Sequence, residues 1–149
     1  MNLEVHKNNL KFVESCPYCG SSVIYIDSIK IFRKSYGMMY LCNNYPLCDA
    51  SVGVHKGTNY PLGRMANKNL RYWKKRAHFY FDPIWQKKLD KNPLEKKNTI
   101  RNETYKWLSE KMNIPIEECH IGFFNVEQCK QVINHCRQAN EGTLRLFNF

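Results

Sequence analysis

Cys16-Pro17-Tyr18-Cys19-Gly20 and, twenty-two residues further on, Cys42-Asn43-Asn44-Tyr45-Pro46-Leu47-Cys48 decide how the first third of this chain is read. Two residues separate the first pair of thiols, so one tight turn aims both at a single point. The glycine after them lets the backbone turn and present its amides to the sulfurs. Tetrahedral zinc takes four such sulfurs at about 2.3 Å, and the interval between the pairs has room for a β-hairpin. A lone C-x-x-C is weak evidence, but two clusters across a hairpin point to metal. Cys16, Cys19, Cys42 and Cys48 are therefore expected to hold one structural zinc ion. Four thiolates close the shell and leave no open position for catalysis. His55 lies near enough in sequence to stand in for one ligand.

Working outward, the segment between the pairs reads as β-structure. Strands are predicted at Ser22-Val23-Ile24-Tyr25-Ile26, at Lys30-Ile31-Phe32-Arg33 and at Met38-Met39-Tyr40-Leu41, punctuated by Asp27-Ser28 and Ser35-Tyr36-Gly37. A further short strand is expected within residues 50–55. Residues 1–15 read as a lead-in strand or turn, with Leu10, Phe12 and Val13 packing onto the segment after it. From Met65 the period changes. Leu70, Trp73, Ala77, Tyr80 or Phe81, and Ile84 fall at helical spacing, which predicts a helix over residues 66–80 interrupted or ended by Asp82-Pro83. Residues 87–98, with Asn92-Pro93, read as a charged loop or the entry to the next helix. A second helix is expected over 99–112, burying Ile100, Thr104, Trp107, Leu108 and Met112. A third begins after Asn125, with Gln128 completing a capping box and Val126, Cys129, Val132, Ile133 and Cys136 inward. The tail, residues 142–149, is apolar enough to dock back.

The expected fold class is α+β: a four-cysteine zinc ribbon over residues 1–62, then a basic, mainly helical domain of about three helices over residues 63–149. Apolar residues make up 43% of the chain and charged residues 24%, enough to bury a core. There is no apolar run of about eighteen residues, which speaks against a membrane span, and the N-terminus has no signal-like apolar core. Seven cysteines are an odd number, and without a secretion signal they speak against a disulfide framework. A cytoplasmic protein is expected.

At the two cysteine clusters the chain resembles the topoisomerase-type zinc finger. That family's pattern is C-P-x-C-G, a hairpin, then C-x-x-Y-P-x-C. Cys16, Pro17, Cys19, Gly20, Cys42, Tyr45, Pro46 and Cys48 match it, and the resemblance spans roughly residues 14–58. Only one finger is present, with no topoisomerase catalytic domain attached. Such fingers bind single-stranded DNA in topoisomerases, so the resemblance implies that ability here. The whole chain is also similar to a family of small zinc-finger-containing proteins found largely in phages and prophages. The supporting stretches include Pro61-Leu62-Gly63-Arg64, Phe81-Asp82-Pro83-Ile84-Trp85 and Cys119-His120-Ile121-Gly122-Phe123-Phe124. If the chain is phage-encoded, its compartment is the host cytoplasm.

Charge points the same way. The net charge of +10 is concentrated: residues 64–98 carry net +8, the residues before them +2, and those after them zero. A concentrated basic patch favours an anionic partner, nucleic acid first, though a solubilising face has the same composition. Lys68, Arg71, Lys75 and His78 fall on one helical face, with Arg64, Lys74 and Arg76 nearby, as a ridge for phosphates. In the ribbon, Tyr25, Phe32, Tyr36, Tyr40 and Tyr45 accompany Arg33 and Lys34, the mixture a single-strand platform needs. Strand alternation sends some of these rings inward, Phe32 first among them. Cys119, His120, Cys129, His135 and Cys136 invite a second metal site, but a buried apolar role suits those cysteines better.

No zinc-deaminase arrangement, phosphate loop, G-x-S-x-G or paired-carboxylate motif occurs. Asp27, Asp49 and Asp82 are too scattered to propose a nuclease. The expected function is non-enzymatic nucleic-acid binding, DNA ahead of RNA. The alternative is a protein-interaction module, such as a phage inhibitor gripping an acidic host protein. The sequence leaves the oligomeric state open.

Overall fold

A computed structural model describes residues 6–147. It is α+β: a three-stranded antiparallel sheet beside the cysteine cluster, followed in sequence by three long helices. The chain divides into two compact units, the first ending at Arg71 and the second beginning at Tyr72. Residues beyond 62 join the first unit because Ala66 pairs with Ser51 through two backbone hydrogen bonds of 3.1 and 2.9 Å.

In the first unit, β1 (Val23–Asp27) pairs with β2 (Met38–Cys42), and β2 pairs with β3 (Ser51–Gly53). Tyr25 lies opposite Tyr40, and Val23 opposite Cys42. Alternation along β2 buries Met39 and Leu41 on one face and turns Tyr40 to the other. The predicted strand at residues 30–33 does not form. Ser28–Lys30 is a short 3-10 turn instead. The reason is local competition from side chains. The Asp27 carboxylate accepts the Ile29 N–H at 2.9 Å and the Ser35 hydroxyl at 2.6 Å, and the Ser28 hydroxyl oxygen accepts the Tyr36 N–H at 2.7 Å. These bonds fold residues 28–37 into a closed loop, ended by Gly37 at φ +99°. The lead-in segment is also a 3-10 turn, Asn8–Val13, tied down where the buried Asn9 amide donates to the Pro61 carbonyl at 3.1 Å.

The second unit is helical. Helix α1 (Lys68–Lys91) starts in the first unit and runs through Pro83 rather than ending there. An interior proline costs about 3 kcal/mol. Against that, Ala77, Phe81 and Trp85 repeat every four residues and are all buried on both sides of Pro83. Burying rings of this size contributes roughly 1.5–3 kcal/mol each. The carbonyl that loses its donor belongs to Phe79, a solvent-exposed residue, so the gap falls on the outer side of the helix and not in its core. The charged loop shrinks accordingly, and α2 (Lys97–Met112) begins soon after. It buries Ile100, Thr104 and Leu108, with Tyr105 and Ser109 in addition, and ends on Asn113 at φ +55°. Trp107 and Met112 are only half-buried.

Helix α3 (Val126–Phe147) buries Cys129, Val132, Ile133 and Cys136. Its capping box is formed as expected. The Asn125 side chain accepts from the Gln128 N–H at 2.9 Å, and the Gln128 side chain accepts from the Asn125 N–H at 3.0 Å. Asn125→Ala is expected to cost about 1 kcal/mol, read as a lowered urea midpoint, whereas Asn125→Ser should be close to neutral. The docking of the tail's side chains lies outside the described residues. No helix among the described residues is long and apolar enough to cross a membrane.

Candidate metal centre and the surface around it

The two knuckles bring Cys16, Cys19, Cys42 and Cys48 together, with all four sulfurs within 4.8 Å of one another. The Sγ atoms of Cys16 and Cys48 are 3.6 Å apart, and those of Cys19 and Cys42 are 3.4 Å apart. Four sulfurs around a zinc ion stand about 3.8 Å apart, as a tetrahedron with bonds of about 2.3 Å requires. A disulfide would need about 2.05 Å. The spacing therefore suits a shared cation and not two covalent bridges.

Each knuckle is shaped by its own backbone. The Gly20 N–H donates to the Cys16 carbonyl at 3.0 Å, with Gly20 at φ +74°, a conformation glycine adopts at little cost. In the second knuckle the Tyr45 N–H donates to the Cys42 carbonyl at 3.1 Å, and the Asn44 N–H reaches the Cys42 sulfur at 3.4 Å. Cys16, Cys42, Ala50 and Met65 form a small buried core, flanked by Val13, Val23, Cys48 and Val52. The four thiols sit in unlike surroundings. The Ser21 hydroxyl beside Cys19 draws its pKa down to about 6, while burial pushes Cys42 up to about 12. Gathering four thiolates here requires positive charge.

Among the described residues this is the one such cluster. His55 stays out of it: its ring packs against His6 with centroids 3.9 Å apart, and burial lowers its pKa. Cys119, Cys129 and Cys136 are buried, and desolvation raises their thiols to about 11, 11 and 12. They serve as small apolar core residues. His120 accepts the Gly122 N–H at 3.2 Å and stacks on Tyr105.

The aromatic side chains of the finger stay largely outside. Phe32, expected to turn inward, is 50% exposed, because the closed loop lifts it off the sheet. It meets Tyr36 edge to face at 5.9 Å, and the Lys34 ammonium lies 6.0 Å from the Tyr36 ring. Arg33 is exposed beside them. Tyr25 and Tyr40 pack across the hairpin with centroids 4.8 Å apart and planes tilted by 37°, and the Tyr40 hydroxyl donates to the Asn59 carbonyl at 2.7 Å. Tyr45 stands exposed in the second knuckle.

The basic residues separate into engaged and exposed groups. Arg71 pairs with Asp49 and also donates to the carbonyls of Asp49 at 3.1 Å and Ala66 at 2.8 Å. Asp49 in turn accepts the Lys68 N–H at the start of α1. Burial opposes ionisation of the Asp49 carboxyl, but Arg71 outweighs it and its pKa falls below the ordinary value. Arg64 lies over the Phe12 ring, the Lys74 ammonium donates to the Gly122 carbonyl at 2.9 Å, and Arg76 lies over the rings of Tyr72 and Tyr80. His78 faces Asp82. The Lys68 and Lys75 side chains are exposed. Sequence reasoning passes over Asp49 because its partner Arg71 lies 22 residues away, and no local spacing announces such a pair.

A sheet-backed finger closed by four convergent thiols defines a metal-binding finger module. The chain belongs to the family described as a zinc-finger-containing domain, matched over residues 12–139. The matched span includes the helices as well as the finger. Neither the curated proteins nor the solved structures compared with this chain include a match.

Proposed function

We propose that this chain is a non-enzymatic nucleic-acid-binding protein of phage or prophage type, whose finger is held by one Zn2+ and grips single-stranded or locally opened DNA. The observation that carries the reading is the surplus of exposed rings beside positive charge on the finger: Tyr25, Phe32, Tyr36 and Tyr45, with Arg33 and Lys34. A stacked base contributes about 1–3 kcal/mol, and cations add a salt-dependent phosphate term. Paired bases inside a duplex offer no free face, so the rings favour single strands. The topoisomerase-type pattern of the knuckles favours DNA ahead of RNA. The donor set of four sulfurs suits zinc and also iron–sulfur centres, and the family description favours zinc. The protein-docking alternative draws on the same charge. The most exposed apolar side chains, Leu47 and Leu94, gain no argument from exposure, because singly exposed apolar residues are ordinary.

The test is fluorescence anisotropy on labelled oligo(dT) across a salt series, with metal content measured on the same preparation. The affinity should fall with a log–log slope of about −0.7 per phosphate contacted. Arg33→Glu with Lys34→Glu should weaken binding roughly tenfold or more at low salt. Lys68→Glu and Lys75→Glu probe the helix. Arg71→Glu is not a clean probe, since it breaks the pairing with Asp49 and so tests the fold. Binding that ignores both salt and the paired reversals would sink the reading.

A further inference from the structure

A second feature of the finger asks for a ligand of its own. On the sheet face that carries Met39 and Leu41, a cleft of about 260 Å3 opens between the closed loop, the second knuckle and the first turn of α1. Phe32 and Tyr45 line it, exposed by 50% and 43%, while Met39 and Leu41, buried to 7% and 3%, also line it. Asp49 and Arg71 complete the lining. Pockets for drug-sized ligands run to roughly 300–1,000 Å3, so this one is sized for a single flat ring system.

We propose that this cleft is a nucleobase pocket that selects guanine from a single strand. The proposal rests on the nucleic-acid reading above and adds base selectivity to it. Its chemistry comes from the lining. Unstacked bases are held between aromatic side chains and read by hydrogen bonds to their pairing edges. Phe32 and Tyr45 supply rings, and Met39 supplies a polarisable thioether that packs well against an aromatic face. Asp49 is out of place in a surface meant only for phosphates, because a carboxylate repels them. It fits a site that meets base donors instead. An ionised carboxylate has about four acceptor lone pairs. The Lys68 N–H and Arg71 leave it further capacity, and its side chain remains 37% exposed. Guanine alone among the DNA bases presents two adjacent donors, N1–H and N2–H, to one carboxylate. Its neighbouring O6 is an acceptor for a guanidinium such as Arg71, which keeps free N–H groups because it has five donors. Adenine and cytosine offer one amino group each, and thymine a single N–H.

The zinc-loaded full chain is titrated with labelled oligo(dT) of about twelve nucleotides, within the range one binding fold covers, and with versions carrying one central guanine, adenine or cytosine. A single guanine should tighten binding roughly tenfold, as one bidentate base contact does, and the other two bases should not. Phe32→Ala removes an exposed ring and leaves the core intact; it should weaken all four oligonucleotides, as loss of one stacking ring does, and make their affinities equal. Asp49→Asn keeps every ring and removes the paired acceptor, so, where circular dichroism shows it folded, it should erase the guanine preference and leave oligo(dT) binding in place. Equal affinity for all four oligonucleotides, a preference for another base, or a guanine preference that survives Phe32→Ala overturns the pocket and leaves the nucleic-acid reading standing. Failure of every oligonucleotide to bind overturns both.

Discussion

Chelation of the metal is expected to unfold the finger and leave the helical unit folded. Beyond the cluster the first unit buries few large side chains, among them Met39, Leu41 and Leu70. Its core beside the cluster is Cys16, Cys42, Ala50 and Met65 with a few half-buried valines, and the strands of its sheet are short. Structural zinc in small fingers contributes roughly 10–16 kcal/mol of apparent binding energy at neutral pH. A whole domain is stable by only about 5–15 kcal/mol. Loss of the ion therefore removes more than a unit of this kind has to spare, and it leaves thiols at hydrogen-bonding distance with no cation between them. The second unit has a core of its own, including Phe81, Leu108, Ile121, Phe124 and Val132. In an amide-resolved NMR spectrum, signals from residues 14–58 should collapse on adding a tight chelator, while those of α2 and α3 stay dispersed. Cys42→Ser, at a fully buried ligand position, should produce the same pattern without chelator. If the amides that pair β1 with β2 stay protected in metal-free protein, the cluster is not what holds the finger.

The parts legible in the sequence are those with local signals. Ligand spacing is local, so the four cysteines can be read directly. The capping box at Asn125 and Gln128 is local, and so are the strand compositions of β1 and β2. Two misreadings have one cause between them. Ile31 and Phe32 have strand composition, but Asp27, Ser28 and Ser35 outcompete the ladder for the backbone. Pro83 reads as a break or a stop, but the burial of residues on both sides of it decides the helix. In each case a propensity worth at most a few kcal/mol meets a stronger set of contacts. The Asp49–Arg71 pair is tertiary, and the cleft it lines is illegible for the same reason.

Phe81→Ala is expected to be the most damaging substitution in the helical unit, and comparison with Phe79→Ala isolates the reason. The two phenylalanines sit two residues apart on α1, so helix propensity and distance from Pro83 are similar for both. Phe79 is 72% exposed and Phe81 fully buried. The Phe81 ring also packs on Tyr105 of α2, with centroids 4.5 Å apart and planes inclined at 35°, a contact worth about 0.5–1.5 kcal/mol beyond its area. Truncating a buried phenylalanine costs about 3–5 kcal/mol through lost transfer energy and the cavity left behind. Phe79→Ala should fall within about 0.5 kcal/mol of the unsubstituted protein. Thermal melts followed by helical circular dichroism should therefore show a large drop in midpoint for Phe81→Ala and almost none for Phe79→Ala. The result carries the account of Pro83 with it. If burial of Phe81 carries α1 across the proline, its loss should also fray residues 83–91, seen as faster amide exchange there than in α2. Equal effects of the two truncations would mean that the buried face of α1 is not what holds the helix through Pro83.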